Sequence, residues 1–296
     1  MPSPRSCTPL PSQADLFYYC TTSSTSDDNL HACYGPPSKS SLRIGIIVLG
    51  KEQIQLFDLA MVDLFASLGR SSISKTGGTD AAVAEAVDEI DIRYVNLTGE
   101  GSFPVTSGTR MPVTPSESQS GGETLKLIAF DQNSVANAPQ FDVLIVPGSF
   151  SLNEILASAA TFIAAQASHP DLIAIMSIAS GVTHLAQAGV LHRKRAAAPK
   201  CLLAVLESKY PQTFWQRSEW ARHEKIWSSK SAASAIDMVA TWMQEYFWDR
   251  SKTVHHALTT AELKAPAVQV IKNMIFHFIQ ASDEQSLWVA NLALKL

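Results

Sequence analysis

The sequence lacks several features that would assign a function at once. No apolar stretch reaches the ~18 residues of a membrane-spanning helix, and the N-terminus lacks the charged-then-apolar layout of a secretory signal. Lysine and arginine form no long run, and the net charge is only -4, which argues against a nucleic-acid partner. We therefore expect a cytoplasmic protein that binds neither membrane nor nucleic acid.

Cysteine is also scarce and carries no metal-binding pattern. The four cysteines, Cys7, Cys20, Cys33 and Cys201, have no paired ligand spacing. We expect no bound metal and no cofactor. Cys201 follows a proline-lysine pair at the start of a predicted helix, and we interpret it as a small buried or half-buried residue, not as a nucleophile.

Composition divides the chain into three parts. Residues 1–41 are rich in Ser, Thr, Pro and Asp without a sustained period, which is typical of a flexible tail. Residues 42–250 carry enough apolar sequence for one large α/β domain. Residues 251–296 are predicted to be a C-terminal helical extension, and its apolar stripe from Val268 to Phe278 favours a core-covering or dimer-forming helix.

The central stretch of the domain is residues 172–191, LIAIMSIASGVTHLAQAGVL. Its apolar start predicts a buried strand, and a helix is expected to open near Ser180 after a tight turn. In such a strand-turn-helix unit, the side chain at the turn lies near free helical N–H groups, so it is the natural position for a nucleophile. Here that position is Ala179, whose methyl group can neither attack nor transfer a proton.

Other apolar runs predict more of the same sheet. Residues 43–49 and 141–146 are short and mostly apolar, as in parallel strands buried on both faces, and residues 90–97 alternate. Residues 57–68 have helical spacing, with Asp58 at or just before the helix start. An N-cap is one sufficient explanation of Asp58.

These segments resemble the ThiJ/PfpI family of the class I glutamine amidotransferase-like superfamily, in particular its isonitrile hydratase-like branch. The resemblance rests on residues 177–196, on the Pro-Gly-Ser turn at residues 147–149 and on KIWSSKSAASAIDM at residues 225–238. It implies a flavodoxin-like three-layer α/β sandwich with a mostly parallel central sheet and a nucleophile elbow. The family cysteine falls on Ala179, and the family's Thr-Thr-His-Trp falls on Ala-Ala-Pro-Lys at residues 197–200.

The resemblance also implies roles for individual residues. Asp58 matches the family's acidic position, which serves as general acid or base. The backbone N–H groups of Gly148 and Ser149 match the oxyanion-binding turn, and Ala179 lines the same site. Lys230 stands where the motif is usually small, so it is either an anion-binding cation at the pocket mouth or a solvated strand end.

Two further side chains of the elbow helix are candidates. Ser180 lies one residue beyond the elbow, but a hydroxyl without a base is a poor nucleophile. His184 lies about one turn into the helix, where it is either a packing residue or a base.

In the family, the cysteine attacks an electrophilic carbon, and isonitriles are thereby hydrated to N-substituted formamides. Without the cysteine, the first hypothesis is a lyase, hydratase, isomerase or cyclase that acts on a small molecule by Asp58-mediated proton transfer. In fungi such proteins often accompany secondary metabolism. The second hypothesis is an inactive relative that binds a ligand or a partner, and the third is a subunit that pairs with an active homologue. We expect a homodimer.

Overall fold

Buried apolar strands form the centre of the molecule. The computed structural model describes residues 37–48, 53–96, 101–108, 110–113, 126–129, 140–149 and 155–263. The strands in these ranges are β1 (Ser41–Ile47), β2 (Glu89–Asn96), β3 (Gly101–Pro104), β4 (Arg110–Val113), β5 (Lys126–Ala129), β6 (Val143–Val146), β7 (Ala174–Ile178), β8 (Arg195–Ala197), β9 (Phe214–Gln216), β10 (Trp220–His223) and β11 (Ile226–Ser229).

Helices connect and cover these strands. They are α1 (Ala60–Ser67), α2 (Arg70–Lys75), α3 (Asp80–Glu85), α4 (Ala157–Ser168), α5 (Val182–Gln187), α6 (Leu203–Lys209), α7 (Ala232–Tyr246) and α8 (Ser251–Thr260), with 3₁₀ turns at Leu56–Leu59 and Ala179–Gly181. None of the helices in the described ranges is long and apolar enough to cross a membrane.

The main sheet has seven strands in the order β10-β11-β7-β6-β1-β2-β5. All neighbours are parallel except the edge pair β10 and β11. The register of β11 on β7 and of β7 on β6 brings the carboxyl ends of these strands to one edge, with Ser229 opposite Ile178 and Ser177 opposite Val146. In open parallel sheets this edge is where ligands bind.

Alternation along the strands gives the sheet two apolar faces. In β6, Val143 and Ile145 belong to one core cluster, whereas Leu144 and Val146 belong to the other. The first cluster includes residues of α1, α7 and α8, and the second includes residues of α4, α5 and α6. The structure is therefore a flavodoxin-like α/β sandwich with a mostly parallel central sheet, and the fold predicted from the sequence is confirmed.

Helix α8 packs on the domain, although it lies in the predicted C-terminal extension. The Thr253 hydroxyl donates to the Ala82 carbonyl at 2.7 Å. The Arg250 guanidinium donates to the carbonyl oxygens of Glu85 and Ala86, each at 2.9 Å. Most of the predicted tail and the apolar stripe from Val268 to Phe278 lie outside the described residues, so the tail, the extension and their boundaries stay predictions.

Candidate active site

The strand-turn-helix unit places Ala179 at its turn. Strand β7 ends at Ile178, and the 3₁₀ turn at Ala179–Gly181 leads into α5. Ala179 has φ of 48°, in the left-handed region, which costs a residue with a Cβ about 1–2 kcal/mol. Gly181 permits the close turn, because a Cβ there would lie 2.1 Å from the Val146 carbonyl oxygen. The elbow geometry is thus present around an alanine methyl.

Asp58 faces the same edge of the sheet from the turn before α1. The N-cap interpretation is wrong: the residue that precedes the 3₁₀ turn is Gln55, and Asp58 lies inside the turn. Its Oδ2 instead accepts a hydrogen bond from the Gly148 backbone N–H at 2.9 Å. This acceptor role is available because the chain after β6 passes directly beside the turn.

The Asp58 carboxyl is fully buried, with 0% of the residue exposed. Burial raises its pKa from the ordinary value of 3.8 to about 6, although the hydrogen bond from Gly148 acts in the opposite direction. Among the residues that the structure describes, Oδ1 has no hydrogen-bond partner. One oxygen therefore anchors the side chain, and the other is buried without a partner among the described residues.

Gly148 is the point where Asp58 and the elbow meet. A Cβ built on Gly148 would lie 2.7 Å from Asp58 Oδ2 and 2.7 Å from Ser180 Oγ. Only a glycine lets the two side chains approach the backbone from both sides. The structure therefore brings Asp58, Gly148 and Ser180 together. The resemblance assigns the Gly148 N–H to oxyanion binding, but in this structure the N–H donates a hydrogen bond to Asp58.

Ser180, Ser149 and His184 are linked on the helix side of the elbow. The Ser180 hydroxyl donates to the Ser149 carbonyl oxygen at 2.7 Å, so its proton goes to a carbonyl and not to a base. Ser149 Oγ and His184 Nε2 are 3.4 Å apart, a long contact. His184 is buried, with 2% of the residue exposed. This arrangement orients the turn but does not activate Ser180 as a nucleophile.

Lys230 follows β11 and lies one strand away from the elbow. Its neighbour Ser229 is the register partner of Ile178. Lys230 and Ala179 are therefore the first residues after two adjacent strands, at the same edge of the sheet. The Lys230 ammonium forms an ion pair with Glu219, and 37% of its side chain is exposed. Glu219, which the sequence analysis missed, thus belongs to the same edge.

The structure contradicts the expectation for Cys201. Cys201 is exposed, so its prediction as a buried or half-buried residue is wrong; it lies in the turn that precedes α6 and faces solvent. No group of three His, Cys, Asp or Glu side chains in the described ranges is arranged to hold a metal ion.

No family model and no curated protein matches the sequence. Solved structures do match. DJ-1beta of Drosophila melanogaster superposes with a TM-score of 0.52 at 12% identity, over 76% of this chain and 99% of that one. DJ-1 of Schizosaccharomyces pombe gives 0.51 at 13% identity, over 73% and 98%. An AraC family transcriptional regulator of Pseudomonas putida gives 0.52 at 15% identity, over 73% and 99%. The chain shares its fold with these proteins.

At this edge, the described residues place an acid-base group beside an elbow that has no nucleophile at its turn position. The elbow residue is Ala179, and the adjacent hydroxyl of Ser180 is held by a carbonyl. Asp58 is a titratable group beside the elbow, and its pKa of about 6 suits a group that both gives and takes a proton near neutral pH. The site therefore supports acid-base chemistry better than covalent catalysis.

Proposed function

We propose that this chain is a cysteine-free relative of the isonitrile hydratase-like proteins, a lyase that acts on a small molecule by proton transfer through Asp58. The observation that carries the proposal is the buried Asp58 carboxyl. One of its oxygens is held by Gly148, and the other has no partner among the described residues. It lies beside an elbow that presents only a methyl group.

For an isonitrile, the proposed reaction needs no covalent intermediate. Protonated Asp58 transfers its proton from Oδ1 to the terminal carbon of R–N≡C, which gives a nitrilium ion. Water then adds to this carbon, and the Asp58 carboxylate takes a proton from the added water. The resulting formimidic acid tautomerises to the N-substituted formamide. One water molecule is consumed, and Asp58 regains its proton.

The pKa of Asp58 fits this cycle. A carboxylic acid with the ordinary pKa would be almost entirely ionised near neutral pH and could not donate, whereas a pKa of about 6 keeps an appreciable protonated fraction. Because the side chain is enclosed, substrate binding requires the edge to open around it. Leu56 and Phe57, on the same 3₁₀ turn, are 47% and 59% exposed, so an apolar substrate would meet apolar side chains first.

Turnover of cyclohexyl isocyanide by the purified protein tests the proposal, with formamide measured as product. The wild type should form the formamide, and Asp58→Asn should lower the rate by about 100-fold or more, since general acid-base groups contribute 10²–10⁴-fold. Asp63→Asn, the same change at an exposed position of α1, is the matched control and should leave the rate unchanged.

Two results would oppose the proposal. Equal turnover by the wild type and Asp58→Asn would remove Asp58 from the reaction. A silent wild type with an active Ala179→Cys variant would favour the second hypothesis, a protein that keeps the pocket but binds a ligand or a partner without catalysis.

A homodimer and a role in secondary metabolism belong to the same proposal. The role in secondary metabolism derives from the resemblance, and the homodimer derives from the apolar C-terminal sequence. Light scattering of the full chain during gel filtration tests the dimer, and a mass corresponding to one chain would contradict it.

A further inference from the structure

Glu219 and Lys230 form an ion pair at the carboxyl edge of the sheet. Strands β10 and β11 are antiparallel, with Trp220 opposite Ser229. The Lys230 backbone N–H donates to the Glu219 carbonyl oxygen at 2.9 Å, which extends this ladder by one more residue pair. Lys230 thus follows the strand next to the elbow strand, and Glu219 lies one strand further out, with neighbouring strands about 4.8 Å apart.

The Glu219 carboxylate is held by a second partner at the start of α7. The Ser234 hydroxyl donates to Glu219 Oε2 at 2.7 Å. Ser234 in turn belongs to the helix cap, since its backbone N–H donates to Ser231 Oγ at 3.2 Å. The hydrogen bonds from Lys230 and Ser234 lower the pKa of Glu219, so the carboxylate is ionised at neutral pH.

Glu219 therefore neutralises two positive features beside the elbow. One is the Lys230 ammonium, and the other is the N-terminal end of α7, a 15-residue helix whose aligned peptide dipoles favour a negative group there. Without Glu219, both features would attract an anionic ligand to this edge. With Glu219, the Lys230 ammonium is paired, and the buried Asp58 adds negative charge whenever it ionises.

We propose that Glu219 is a specificity-determining residue that rejects anions, so that the substrate of this site is a neutral small molecule. This inference rests on the proposed function for its substrate, but the charge selection itself is testable without turnover. It also replaces the earlier hypothesis of an anion-binding Lys230.

Calorimetric titration with benzoate tests the charge selection directly. Glu219→Gln keeps the size of the side chain but removes its charge, so benzoate should bind about fivefold more tightly than to the wild type, the upper end for a partly exposed ion pair. Glu219→Gln/Lys230→Gln should lose this gain, because the released cation is gone. Glu245→Gln is the matched control: it breaks the Arg222 ion pair at the far end of α7 and should not change benzoate binding.

The second readout is the ratio of kcat/KM for isocyanoacetate to that for its neutral methyl ester. Glu219→Gln should raise this ratio by about fivefold, and the double variant should restore the wild-type value. Equal effects of Glu219→Gln and Glu245→Gln on benzoate binding would overturn the inference. If no variant turns over either isonitrile, the proposed function fails, whereas the benzoate titration still decides the role of Glu219.

Discussion

The raised pKa of Asp58 makes the stability of the fold depend on pH in a specific direction. Burial shifts this pKa from 3.8 to about 6, so between these values the native protein holds a proton that the unfolded chain releases. The stabilisation that this proton provides is complete below the pKa of the unfolded chain. It is lost as the pH rises through the pKa of the native protein.

The shift of roughly two units sets the size of the effect. Each pKa unit corresponds to about 1.4 kcal/mol, so Asp58 should make the native protein about 3 kcal/mol less stable above pH 6 than below about pH 4. The physical cause is the buried charge: the ionised carboxylate keeps one hydrogen bond from Gly148, but Oδ1 has no partner among the described residues.

Urea denaturation of the wild type and Asp58→Asn at several pH values between 4 and 7.5 measures this effect. Asparagine keeps an oxygen that can accept from Gly148 but never ionises. The free energy of unfolding of Asp58→Asn minus that of the wild type should therefore rise by about 2.5 kcal/mol across this range, most of the full effect. All other titrating groups cancel in the difference. A difference that stays constant with pH would refute the claim that Asp58 is desolvated.

Three glycine and alanine substitutions probe the backbone of the site by the same denaturation assay. Ala179→Gly should raise the free energy of unfolding by about 1 kcal/mol, because glycine adopts φ of 48° without strain; a loss would contradict the strained elbow. Gly181→Ala should lower it by about 3 kcal/mol, since the new Cβ would lie 2.1 Å from the Val146 carbonyl oxygen; a neutral effect would mean that the turn is looser than described. Gly148→Ala places a methyl carbon 2.7 Å from Asp58 Oδ2 and should cost about 2 kcal/mol, whereas an unchanged stability would show that the two segments can separate freely.

The sheet and the elbow could be predicted from the sequence because their signals are local. Continuous apolar runs identify strands that are buried on both faces, as in β1, β6 and β7. The Ser-Gly pair after β7 marks the turn, and Gly181 is required there by the close approach of the Val146 carbonyl. The strands and the turn follow from residues that are close in sequence, whereas the layered arrangement around the sheet was implied by the resemblance.

The contacts of Asp58 and Lys230 could not be predicted in this way. The Asp58 carboxylate binds a backbone N–H that is 90 residues away in sequence, and no side-chain pattern encodes that donor. The pairing of Glu219 with Lys230 depends on the hairpin between β10 and β11. Its turn uses Glu224 at φ of 54°, where a glycine or asparagine is the usual signal, so no turn motif marks this edge pair.

The pH dependence of kcat/KM for cyclohexyl isocyanide tests the central claim most directly, because it reports the protonation state of the reacting group in the free enzyme. If protonated Asp58 donates to the isonitrile carbon, kcat/KM corrected for the uncatalysed reaction should be constant at low pH. It should then fall about tenfold per pH unit above an apparent pKa near 6. A profile that is flat from pH 5 to 8, or one that Asp58→Asn leaves unchanged, would contradict the account.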